Sequence, residues 1–110
     1  IKPGNAPNEN SPDSRGFRPP APYRKITPKY TEVADLYAVE ATVDIEVDFD
    51  IEGKITATRI VRWAGFGLDQ SVDSTVRAMQ WRPAYQNGKP RPIRVLLRYH
   101  FRKQPVPGTK

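Results

Sequence analysis

Asp44, Glu46, Asp48 and Asp50 occupy every second position of one short segment, and they are the first residues here whose type and spacing could do chemistry. Carboxylates are hard oxygen ligands that suit calcium. The spacing argues against it. Val43, Ile45, Val47, Phe49 and Ile51 alternate with the acids, which is the period of a strand with one buried face. Same-face residues on a strand lie about 7 Å apart, whereas calcium needs oxygens converging at about 2.3–2.6 Å. The row reads instead as half of an ion-pairing surface, because acids in a line repel unless cations flank them. Near the end of the chain Ile93, Val95, Leu97, Tyr99 and Phe101 alternate again, now with Arg94, Arg98 and Arg102 opposite. Two complementary strands are expected to share an apolar inner face and a charge-paired outer one.

Other chemistry finds little support. His100 is the only histidine and falls on the polar face of the last strand, so it reads as a surface side chain rather than a proton relay or ligand. There is no cysteine, which excludes disulfides and zinc–thiolate sites and is compatible with either redox compartment. A glycine-rich phosphate loop after a strand is also missing, and no catalytic set emerges. Trp81, Tyr85 and Tyr99 with nearby arginines could stack on single-stranded nucleic acid. However, Tyr99 alternates inward, and Trp81 sits where it can close a helix onto the sheet. Trp63 and Phe66 stay open between core and exposed loop contact.

The charge qualifies the nucleic-acid reading further. The net charge is +6, yet residues 29–73 carry four basic and ten acidic groups while residues 74–110 carry nine basic and none acidic. This is an asymmetry between halves that pair in space, not one basic stripe. With 110 residues there is one domain at most. No apolar run approaches the ~20 residues that span a bilayer. The chain starts at Ile1 rather than Met, as expected of a processed form or excised fragment.

The elements that must position these residues can be read in order. Residues 1–27 contain Pro3, Pro7, Pro12, Pro19, Pro20 and Pro22 among polar residues and read as a disordered, proline-rich linker of polyproline character. Phe17–Tyr23 could be a ligand for an aromatic groove, but spacer is the better reading. Residues 104–110 read as a flexible tail. The domain, 28–103, opens with a short helix over Thr31–Ala38, with Thr31 as N-cap and Val33, Leu36 and Tyr37 on one face. A first strand over Ala41–Ile51, a turn with Gly53 at positive φ, and a second strand over Lys54–Trp63 follow. The second strand alternates imperfectly, which predicts a bulge near Ala57 or Thr58. Leu68, Val72, Thr75, Val76 and Met79 mark a helix over Leu68–Gln80 ended by Pro83. After an Asn87–Gly88 turn comes the third strand, Pro92–Arg102. The expected fold is α+β: a three-stranded antiparallel sheet of order 2-1-3 with two helices packed on one face.

These elements, in order, resemble the C-terminal domain of TonB, the energy transducer of Gram-negative bacteria. Pro28, Tyr30, Ala34, Val39, Glu40, Val43, Gly53, Leu68, Trp81–Ala84, Asn87–Pro90 and Phe101 carry the resemblance. Thr31, Ala41 and Met79 depart from it, replacing a proline, a glycine and a tryptophan. The resemblance implies a periplasmic domain anchored to the inner membrane through an absent upstream segment. It implies as partners the peptide box of an outer-membrane TonB-dependent receptor and inner-membrane proton-channel motor proteins; no nucleic acid and no cofactor are expected, although a basic nucleic-acid-binding module stays open as an alternative. Self-association into a homodimer, as in a structural or accessory envelope protein, stays open. The residues themselves suggest how a peptide is held. Nothing covers the outer edge of the third strand, and the arginines along it discourage self-pairing while leaving its main chain available. The expected contacts are the main chain of Ile93, Arg94, Val95, Leu96, Leu97, Arg98, Tyr99, His100 and Phe101, flanked by Tyr30 and the side chains of Arg94 and Arg98. An enzyme is the least expected outcome.

Overall fold

A computed structural model describes residues 16–105. In chain order these form β1 (Phe17–Arg18), β2 (Ala21–Pro22), α1 (Glu32–Leu36), β3 (Ala41–Phe49), β4 (Ile55–Arg62), α2 (Leu68–Ala78), β5 (Trp81–Arg82), β6 (Ala84–Gln86), β7 (Lys89–Arg91) and β8 (Ile93–Phe101). The architecture is α+β. The main sheet has the order β4-β3-β8, and both pairings are antiparallel. Two small sheets, β1-β6-β7 and β2-β5, accompany it.

The period-two pattern of β3 decides the core. Val43, Ile45 and Val47 are fully buried and Phe49 nearly so, packed with Leu68, Val72 and Val76 of α2, Ala34 of α1, Met79, Trp81 and Phe101. Trp81 lies against Phe49, with ring centroids 4.9 Å apart, and its indole N–H donates to the Val76 carbonyl at 3.0 Å. An apolar ring can thus close the end of α2 without stranding its one donor.

Two bulges, not one, keep β4 in phase with β3. The register skips Thr56, next to the expected place near Ala57 or Thr58, and also Val61. The first skip lets Ile55 and Ile60, an odd number apart, pair with Phe49 and Ile45 on the buried side. The turn between the strands is organised by Asp50. Its carboxylate accepts from the Glu52 and Lys54 amides at 2.8 and 2.9 Å. The fourth acid of the row is therefore a turn residue and does not join the ion-paired face.

α1 is shorter than expected and differently oriented. Thr31 is the N-cap, its Oγ1 accepting from the Ala34 amide at 3.2 Å and donating to the Phe66 carbonyl at 2.6 Å. The buried residue is Ala34, whereas Val33, Leu36 and Tyr37 are exposed. Five helical residues make little more than one turn, so a single small side chain can seat the helix closely. Trp63 and Phe66 are exposed as well, and Phe66 contacts Tyr37 at 6.3 Å between centroids. α2 ends at Ala78, two residues before the expected end. At its start the buried Asp69 carboxylate accepts from the Ala64 and Gly65 amides, each at 2.8 Å.

The segment expected as a linker, residues 1–27, is described only in part. Its residues 1–15 lie outside the described region, as do residues 106–110 of the tail. Phe17–Arg18 and Ala21–Pro22, however, are paired: β1 with β6 and β2 with β5. Proline restricts pairing only at its own nitrogen, so the amides and carbonyls between prolines still find partners.

Candidate functional site

β8 holds nine of the ten candidate contact residues in one extended row. Ile93, Val95, Leu97 and Tyr99 are half-buried on the inner face, Phe101 is buried, and Arg94, Leu96, Arg98 and His100 are exposed on the outer face. Every residue from Ile93 to Phe101 has a partner on β3. On its other side β8 has no strand neighbour among the described residues. In an antiparallel strand the amide and carbonyl of alternate residues point to opposite edges. Half of the main-chain groups of β8 therefore face β3, and the other half face the open side.

The outer face is paired by charge. The Arg98 guanidinium donates to both Asp44 carboxylate oxygens at 2.8 and 3.0 Å, and Arg94 to both oxygens of Asp48 at 2.7 and 3.0 Å. On the β4 side Arg59 donates twice to Glu46, at 3.0 and 2.7 Å. Lys54 instead pairs with Glu52. Hydrogen bonding from Arg98 holds the Asp44 carboxyl below its ordinary value, and Arg94 does the same for Asp48; in both, partial burial opposes the effect. The arginines are correspondingly held more firmly protonated. Arg94 and Arg98 nonetheless keep more than half of their side-chain surface exposed. They register β8 against β3 and still present cationic surface outward.

His100 completes the outer row. Its ring nitrogens lie 3.0 Å from Thr42 Oγ1 and 3.3 Å from Glu40 Oε2. The tenth candidate, Tyr30, is tied down. Its hydroxyl lies 2.7 Å from the Val39 carbonyl and 3.2 Å from that of Ala34, and its ring stacks on Phe101 with centroids 6.4 Å apart. Desolvation and then Asp35 push the Tyr30 hydroxyl's pKa up, and burial does so for Tyr99. Tyr30 thus clamps the segment around α1 onto the end of β8.

One feature escaped the sequence reading. Thr27, Pro28, Tyr30, Tyr99, His100, Phe101, Arg102 and Gln104 line a hollow of about 220 Å³ at the end of β8. Spacing gave no sign of it, because residues 27–30 and 99–104 are joined by folding and not by sequence. The three aromatics weighed for base stacking offer no exposed platform: Trp81 is buried, and Tyr85 and Tyr99 are half-buried.

Residues 26–102 match the family model of the Gram-negative bacterial TonB protein C-terminal. No curated protein matches the sequence.

Proposed function

The chain belongs to the TonB C-terminal family, and on that premise we propose that it captures the peptide box of an outer-membrane TonB-dependent receptor by adding it as a strand to β8. As a TonB-type periplasmic domain it would be joined by an upstream segment to an inner-membrane anchor and a proton-driven motor, and would pass force to the receptor plug. The observation that supports this reading most is the lone strand neighbour of β8 along all nine residues. An unpaired edge of that length offers main-chain bonds for affinity, while side chains on alternate faces offer choice. The hollow beyond Tyr99 and Phe101 adds an apolar place for a residue of the guest at the end of the strand.

Titration of the labelled chain with receptor-box peptides, followed by amide NMR, tests the proposal. The outward amides of Ile93–Phe101 are expected to shift and to gain protection from exchange. Shifts confined to β4, or none at all, would sink it. Arg94→Gln with Arg98→Gln is the appropriate test of steering. A glutamate at either place would also set like charges against Asp48 or Asp44 and confound binding with folding. For an acidic peptide the double glutamine variant is expected to lose about 3- to 10-fold in affinity, mainly through slower association.

A further inference from the structure

Residues 16–26 run antiparallel along residues 79–87 as a nearly continuous zipper. The Asn87 amide donates to the Gly16 carbonyl at 2.8 Å. Phe17 then lies opposite Gln86 and Arg18 opposite Tyr85. At Pro19 and Pro20 no amide hydrogen exists, and there the Arg82 guanidinium crosses to the Pro19 carbonyl at 2.7 Å. Pairing resumes with Ala21 opposite Arg82 and Pro22 opposite Trp81. The Tyr23 amide donates to the Gln80 carbonyl at 2.9 Å, and the Ile26 amide reaches Met79 Sδ at 3.4 Å. Gly16 has φ +79°, a conformation that favours glycine, while the atom a Cβ there would meet, Asn87 Oδ1, is the end of a side chain that can turn away.

The zipper is made of main-chain bonds with little burial behind it. No residue from 16 to 27 is buried, and Tyr23 is 71% exposed. β3, by contrast, is flanked by strands on both sides and carries the core. Segments with few buried apolar contacts open at lower free energy than the core.

We infer that the Trp81–Gln86 edge is a second strand-accepting surface, and that Gly16–Tyr23 is its releasable guest, held in cis as a strap. While docked, the strap makes the upstream chain leave beside the Asn87–Gly88 turn. Once peeled, the chain leaves at Pro28, next to Tyr30 and the end of β8. Release of residues 16–27 frees up to about 40 Å of extended tether. This tether consequence rests on the force-transmitting reading above; the docking does not.

Hydrogen exchange by NMR on the full chain tests the strap, read at the amides of Tyr23, Asn87 and, for the core, Val47. Tyr23 and Asn87 are expected to exchange at least about 10-fold slower than an unstructured chain, and at least about 10-fold faster than Val47. The double variant Arg18→Pro, Tyr23→Pro lies outside residues 26–102 and removes two amide donors, since the Asn87–Gly16 bond beside the Phe17–Gln86 pair turns the Arg18 amide, not that of Phe17, toward Tyr85. It is expected to return Asn87 to unprotected exchange and leave Val47 unchanged. An unprotected Tyr23 in the parent chain would overturn the inference, as would protection equal to that of Val47, or an Asn87 unmoved by the prolines. Protection that disappears on dilution together with a dimer, followed by sedimentation, would show a guest in trans and overturn the cis assignment. The two proposals fail separately: receptor-box peptide titration of the same samples reads β8. Protected strap amides with silent β8 amides would leave the strap standing and remove the receptor reading.

Discussion

Asp44 and Asp48 are the residues whose protonation the fold feels most directly. Their carboxyls accept two hydrogen bonds each from Arg98 and Arg94, and these bonds hold both below the ordinary carboxylate range. A carboxyl depressed in the folded state contributes stability above its unfolded value, near 3.9. That contribution is lost as pH falls through the depressed value. The urea midpoint is therefore expected to hold between pH 7 and 5 and to drop progressively below about pH 4. Asp44→Asn with Asp48→Asn should lower the midpoint at pH 7 and flatten the acid limb; an unchanged limb would mean that other acids set it. Gly53 is a second residue on which the fold turns. It has φ +84°, and a Cβ there would lie 2.3 Å from the Trp81 carbonyl oxygen. Gly53→Ala combines left-handed strain with a backbone collision that no rotamer relieves. A loss of about 2 kcal/mol or more in urea unfolding is expected, and a neutral result would show that the hairpin can move off β5.

At the scale of elements, β8 gives a test that depends on alternation alone. Successive amides point to β3 and to the open edge by turns. Leu96→Pro and Leu97→Pro should consequently behave oppositely, although both residues are leucines in one strand. One removes a bond to β3 and unfolds the domain; the other leaves circular dichroism intact and loses peptide binding by about 100-fold or more. Two folded variants that both bind would dispose of the edge model. This strand and β3 were legible because each combines period-two hydrophobicity with one sign of charge. α2 was legible from its helical repeat. The face of α1 was not: in five residues periodicity cannot outweigh the tight seat of Ala34, and the larger Val33, Leu36 and Tyr37 point to water. The strap was illegible for a different reason. Its pairing uses main-chain groups, which every residue type carries, and its prolines mask the strand signal. The second bulge, at Val61, left no mark because Val61 is itself an exposed apolar residue. Asp50 joined the acidic row by spacing, and only the turn geometry separates it from the others.

Across the whole molecule, the excess of positive charge reads differently once pairs are assigned. The net charge of +6 suggests a polyanion-binding protein. Yet Arg59, Arg77, Arg94 and Arg98 are each within 3.2 Å of a carboxylate oxygen, and Lys103 is 3.8 Å from Asp35. Four of the nine basic residues of 74–110, namely Arg77, Arg94, Arg98 and Lys103, thus already face acids of the 29–73 half. A protein that neutralises 6–10 phosphates loses about 10³–10⁵ in affinity between 50 and 200 mM salt. Main-chain pairing of a peptide on β8 would release few counterions, because Arg94 and Arg98 are already paired with Asp48 and Asp44. Affinity for a receptor-box peptide is accordingly expected to change by less than about 5-fold over the same range, with the change in the association rate. Titrations at 50, 100 and 200 mM salt, run with peptide and with single-stranded DNA, separate the two behaviours. A shallow slope for the peptide alongside weak, steeply salt-dependent DNA binding places recognition in the strand edge. A steep slope for the peptide would place it in charge instead, and the unpaired main chain of β8 would no longer be the determinant.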